Sequence, residues 1–115
     1  MTVLVQSAAQ FLDMPAMQRA ALQASSLLKA LANPDRLLLL CQLVEGEHCV
    51  SELEGLLGIL QPTLSQQLGV LRQEGLVATR RDGKQIYYRM ASPQALAVMQ
   101  VLHEQFCQPS NGEKE

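Results

Sequence analysis

Residues 61–72, Gln-Pro-Thr-Leu-Ser-Gln-Gln-Leu-Gly-Val-Leu-Arg, constrain the fold more than any other stretch of the chain. Pro62 suits the first turn of a helix, where its missing N–H would have no partner anyway. Leu64, Leu68 and Leu71 recur at i, i+4 and i+7, so they share one face fit for a core. Thr63, Ser65, Gln66 and Gln67 lie off that stripe, uncharged hydrogen-bonding side chains gathered in the first two turns. A helix face that merely meets solvent more often carries Glu and Lys in i,i+4 pairs. Amides and hydroxyls match the donors and acceptors of base edges in a DNA major groove. Taken alone, the stretch fits an ordinary polar face as well as a base-reading one, and its neighbours must decide.

Upstream, Ser51-Glu52-Leu53-Glu54 has the spacing of a capping box, with Ser51 at the cap and Glu54 at N3. A short helix should run from there to about Leu57 and stop at Gly58. With Pro62 opening the next helix, the pair has the helix-turn-helix arrangement. Gly75 should close that second helix. Leu76 to Arg80 then reads as a strand, Asp82-Gly83 as a tight turn, and Gln85 to Arg89 as the return strand. A helix-turn-helix followed by a basic two-stranded ribbon is a winged helix, and in that setting the base-reading face is the better account.

The remaining segments are helical. Pro15 to Leu31 ends in Leu27, Leu28 and Leu31, with Ala20, Ala21 and Ala24 allowing close approach. Asn33-Pro34 is an N-cap and N1 pair, and the run Leu37-Leu38-Leu39-Leu40-Cys41 makes the next helix, to about Val44, apolar nearly all round and therefore buried. Ser92-Pro93 caps a last helix to about Cys107, whose apolar side chains span too wide an arc for one small domain to cover. That excess points to a second copy. The expected fold is mainly α with a small β-hairpin wing, ordered α-α-α-α-β-β-α and dimeric through terminal helices. The winged domain should span 15–107, between a leading segment, 1–14, and a polar tail, 108–115.

Charge sharpens the partner. The net charge is −2, which taken alone opposes nucleic acid. Yet five of the nine basic residues, Arg72, Arg80, Arg81, Lys84 and Arg89, fall within 72–89 against Glu74 and Asp82, a local +3. Residues 45–54 hold four glutamates and no base. Such polarisation is the footprint of a DNA-binding face. No apolar run approaches the roughly 20 residues of a membrane span, and no signal peptide opens the chain, so the reading is cytoplasmic. No nucleophile–base set, phosphate loop or paired carboxylates suggests an enzyme or a cofactor. A protein-interaction module is the competing class, but it leaves the basic wing without a reason.

Gln61 through Leu68 with Leu71-Arg72-Gln73-Glu74-Gly75-Leu76-Val77, in this element order, resembles the ArsR/SmtB family of dimeric repressors over about residues 20–107. The resemblance implies a homodimer on palindromic operator DNA. Gln61, Thr63, Ser65, Gln66 and Gln67 on the helix, and Arg80, Arg81, Lys84 and Gln85 on the wing, would be its contacts. Within the family, Leu43 to Glu47, Gln61 to Leu71 and Lys84 to Ile86 look most like the BigR/SqrR group, which answers to reactive sulfur species. That group's two sensing cysteines fall where this chain has Cys41 and Cys107.

Three cysteines do not make a secreted disulfide framework. Read without the resemblance, Cys41 could be a small core hydrophobe and Cys107 incidental. The metal-sensing branches fit less well. Arsenic-type members carry Cys-Val-Cys where this chain has Cys49-Val50-Ser51, and zinc-type members pair ligands on the last helix where it has only His103-Glu104. Adjacent residues point about 100° apart on a helix, and a tetrahedral site needs four ligands. His48, expected in a loop, has no ligand set either. No metal site is expected, Cys49 is unassigned, and a metal, metalloid or peroxide inducer is the alternative to persulfide.

Overall fold

The computed structural model describes residues 13–107. The expectations for 1–12 and 108–115 lie outside the described residues. Five helices and three short strands follow in order: α1 (Met14–Leu31), α2 (Pro34–Val44), β1 (His48–Cys49), α3 (Val50–Leu57), α4 (Thr63–Gln73), β2 (Val77–Asp82), β3 (Gln85–Met90) and α5 (Pro93–Phe106). This is the winged helix-turn-helix expected from the sequence, with β1 added.

Capping residues place most of the helix starts. The Asp13 carboxylate accepts from the Ala16 N–H, so α1 begins at Met14, inside the segment read as a leader. Asn33 caps α2 by accepting from the Arg36 N–H at 3.0 Å, with Pro34 in the first turn. Ser92 caps α5 in the same way through the Ala95 N–H. Pro62 sits at the cap of α4, one position before its expected place.

Two local expectations need correction. Helix α3 starts at Val50, and the capping frame lies two residues earlier than the Ser51–Glu54 box. Cys49 is the N-cap, and the N3 residue Glu52 accepts from its backbone N–H at 3.0 Å. The reason is β1, which pairs His48 with Tyr88 and Cys49 with Tyr87. That extended pairing ends at Cys49 and fixes where the helix can begin. His48 therefore lies in a strand and not in a loop.

The second correction concerns α2. Leu39, Leu40 and Leu43 are buried, but Leu38 is 46% exposed and Val44 39%. The leucine run has an outer face, and Cys41 lies on it, exposed.

One core holds these elements together. Leu39, Leu40, Leu53, Leu64, Leu68 and Leu71 are wholly buried, joined by Leu31, Leu76, Val77, Ala95 and Met99 from α1, the wing base and α5. Each buried leucine contributes roughly 1.5–3 kcal/mol of transfer free energy. The α4 stripe is thereby fixed inward, and its polar residues face out. Gly58 ends α3 at φ 70°, a left-handed turn that glycine adopts without a Cβ penalty.

The sheet order is β1-β3-β2, all antiparallel, with Arg80 opposite Tyr87 and Asp82 opposite Gln85 across the hairpin. Tyr88 and Met90 pack on the core, so by strand alternation Tyr87 and Arg89 face the other way. The terminal helices are covered on one side only. Of the 18 residues in α1, Ala30 and Leu31 alone are buried, while Leu22 is 71% exposed. Helix α5 buries Ala95 and Met99 but leaves Phe106 78% exposed.

Candidate nucleic-acid interface and cysteine pair

The outer face of α4 carries the expected polar set. Ser65 and Gln66 are exposed, and Thr63 and Gln67 are half-buried. Ser65 and Gln66 have no hydrogen-bonded side-chain atom among the described contacts, so both present their full donor and acceptor capacity outward. Gln61 and Gln67 are already engaged. The Gln61 amide oxygen accepts from the Ser65 N–H at 3.1 Å, capping the first turn. The Gln67 amide oxygen accepts from Arg36 Nη1 at 2.7 Å.

Arg36 is a residue that sequence reasoning passed over. Besides Gln67, its guanidinium donates to the Ala30 and Lys29 carbonyls at the C-terminal end of α1. One side chain on α2 thus satisfies two carbonyls of α1 and orients an amide of α4. A lone arginine after Asn33-Pro34-Asp35 carries no sequence signal for this.

The wing divides its cations. Arg81, Lys84 and Gln85 are exposed at the hairpin end, around Gly83 at φ 64°. Arg80 instead bonds Glu47 in a two-pronged pair. Its Nε lies 2.9 and 3.0 Å from the two carboxylate oxygens, and its Nη2 lies 2.7 Å from Oε1. Asp82 stands 3.7 Å away, and the guanidinium lies 4.6 Å over the Tyr87 ring. The Arg80 hydrogen bonds hold the Glu47 carboxyl below its ordinary range.

A second polar cluster sits at the α3 start. His48 Nδ1 lies 3.3 Å from Glu52 and its Nε2 3.4 Å from the Gln42 amide. The Cys49 N–H, with His48, lowers the Glu52 pKa. Cys49 itself is buried, its sulfur 3.3 Å from the Ser51 hydroxyl.

Cys41 and Cys107, 66 positions apart in sequence, line one groove between α2 and α5. Leu38, Val44, Leu57 and Met99 make its apolar wall, and His103 and Glu104 its polar edge. Both thiols are free and exposed. Partial burial pushes the Cys41 thiol pKa up, helped by charge on Cys107 and on Glu45. Among the described residues, no three His, Cys, Asp or Glu side chains converge as a metal cage would require. No helix among them is long and apolar enough to cross a membrane.

A recognition helix with an uncharged polar face, a basic hairpin beside it and two half-covered terminal helices define a winged-helix DNA-binding regulator. Residues 33–79 match the model of the bacterial regulatory protein, arsR family, and the chain belongs to that family. It is 52% identical over 98 residues to the biofilm growth-associated repressor of Agrobacterium fabrum, covering 85% of this chain and 84% of that protein. The crystal structure of the transcriptional repressor BigR from Xylella fastidiosa superposes with a TM-score of 0.76 at 52% identity, over 81% of this chain and 95% of that one. Reduced HlyU from Vibrio cholerae superposes at 0.78 with 39% identity, over 83% and 100%.

Proposed function

We propose that this chain is a dithiol-sensing transcriptional repressor. As a homodimer in the cytoplasm it holds palindromic operator DNA, and it lets go when a persulfide or polysulfide links Cys41 to Cys107. One observation carries the reading: the two cysteines, from helices distant in sequence, open onto the same groove. Similarity to two repressors, and to a regulator solved in a reduced form, supports it.

On DNA, Ser65 and Gln66 address base edges. Thr63, Gln61 and Gln67 lie at the helix N-terminus and flank, where backbone phosphate is favoured. Arg81, Lys84 and Gln85 meet the backbone beside the groove. Two copies joined through α1 and α5 set the recognition helices at the half-site spacing of about 34–36 Å.

The switch is thiol chemistry. One thiolate attacks the outer sulfur of a persulfide RSSH, forming a protein persulfide and releasing RSH. The other thiol attacks the inner sulfur, closing a disulfide and releasing H₂S, so the protein loses two hydrogens in all. Where a second RSSH first extends the protein persulfide to Cys–S–S–SH, releasing another RSH, attack of the other thiol on the middle sulfur releases H₂S and closes a bridge with one inserted sulfur atom. Partial burial raises the Cys41 thiol pKa, and each of the two attacks proceeds through a thiolate. Either bridge ties α2 to the dimer-forming α5, and only a difference in DNA fit between the two states can drive release.

Intact mass spectrometry after persulfide treatment should show loss of two hydrogens, alone or with added sulfur, as operator affinity falls. Cys41→Ser and Cys107→Ser should each bind DNA and ignore the donor, whereas Cys49→Ser should still respond. Release by Zn²⁺ or As(III) with a requirement for Cys49 would overturn the dithiol assignment while leaving a metal-responsive regulator.

A further inference from the structure

Four cations, Arg80, Arg81, Lys84 and Arg89, sit on the wing hairpin, and the structure treats Arg80 differently. Arg81 and Lys84 are exposed and form no ion pair within 4 Å among the described contacts. Arg80 is held on three sides by Glu47, Asp82 and Tyr87. Glu47 already occupies the guanidinium face of Arg80, so a phosphate approaching Arg80 must displace that carboxylate.

The pair also joins distant parts of the chain. Glu47 stands three residues past the end of α2, immediately before edge strand β1, and Arg80 is on the opposite edge strand, β2. The bond therefore spans the sheet face across β3, from the end of the Cys41-bearing helix to the wing. Ordinary exposed ion pairs contribute little, but a two-pronged arginine–carboxylate pair adds geometric definition that a single contact lacks.

We infer that Arg80 is a positioning residue and not a phosphate ligand: with Glu47 it forms a strut that fixes the angle of the wing to the end of α2. This rests on the DNA-binding reading above and divides the wing's work. Arg81 and Lys84 neutralise backbone charge, and Arg80 holds them in place.

Salt dependence separates the two roles, because only groups that neutralise phosphate release counterions. Operator binding is measured by fluorescence anisotropy across a salt series. Arg81→Ala and Lys84→Ala should each lower the slope of log affinity against log salt by about one. Arg80→Gln should leave that slope at the wild-type value and weaken binding by about fivefold. Arg80→Lys keeps the charge but loses the fork, and should behave like Arg80→Gln. Glu47→Gln should weaken binding equally, and the Glu47→Gln/Arg80→Gln double variant should be no worse than either single one, as for partners in one interaction.

The strut is wrong if Arg80→Gln lowers the slope as Arg81→Ala does, if Arg80→Lys binds like wild type, or if Glu47→Gln binds more tightly by freeing Arg80. Each of those outcomes leaves the DNA-binding reading standing. A wild-type slope for all of Arg80→Gln, Arg81→Ala and Lys84→Ala takes the wing off the DNA, and the strut falls with it.

Discussion

Gln66 projects from the exposed face of α4 with its amide free on both sides, the condition for a bidentate contact to a base. Gln66→Ala should therefore cost about 1–3 kcal/mol on the operator and little on random DNA, as read by competition binding. Equal weakening on both would make it a backbone contact. Gln67, one position on, cannot act the same way. Arginine only donates, so the Gln67 oxygen must face Arg36, which turns the amide toward α2 and leaves its NH₂ group as the freer end. The inward leucines of α4 were legible because helical period is a local property. Arg36 was not, since its partners lie up to 31 residues away and no spacing rule announces them. Cys41 and Cys107 were flagged only by family resemblance. Their meeting in one groove is a product of how α5 crosses α2, which neither helix encodes alone.

Among elements, α4, the hairpin and α5 were readable from punctuation: Pro62, Gly75, Asp82-Gly83 and Ser92-Pro93 each mark a boundary through backbone geometry. Ser51 and Glu54 have the spacing of a cap, but the pairing of Cys49 with Tyr87 and of His48 with Tyr88 sets the start of α3 from a distant strand, β3. Two residues of strand outweighed a good local signal. The wing gives a pH prediction. Glu47 has its pKa depressed below the ordinary value of 4.5, chiefly by hydrogen bonds from Arg80. A depressed carboxylate lends its contribution above the ordinary value and loses it as pH falls through the lowered one. The Glu47–Arg80 pair should thus persist at mildly acid pH and break only below the usual glutamate range. Carboxyl NMR should show a Glu47 midpoint under 4.5 that moves up in Arg80→Gln. An unmoved midpoint would mean the pair does not form in solution.

For the molecule as a whole, the unmatched apolar faces of α1 and α5 matter most. The sequence indicated the excess on α5, but α1 proved barer still, since its alanines and leucines resemble a packed helix until its neighbours are known. Phe106→Glu should shift the protein toward monomer in analytical ultracentrifugation and weaken operator binding with it, because one half-site alone holds poorly. A Phe106→Glu protein that remains fully dimeric would move the interface elsewhere. Helix α1 has a further consequence. Only its C-terminal end, from Ser26 on, is anchored by its own chain, through Leu27, Ala30 and Leu31 on the core and a Ser26–Glu74 hydrogen bond, and a free helix of this length is marginal in water. If a second copy covers the rest, completing the fold is a bimolecular event and obeys mass action. Thermal midpoints would then climb with protein concentration. In a cell the same law sets a floor on dosage: as copies thin out, the chain loses part of its own architecture along with its partner, so scarcity and instability arrive together.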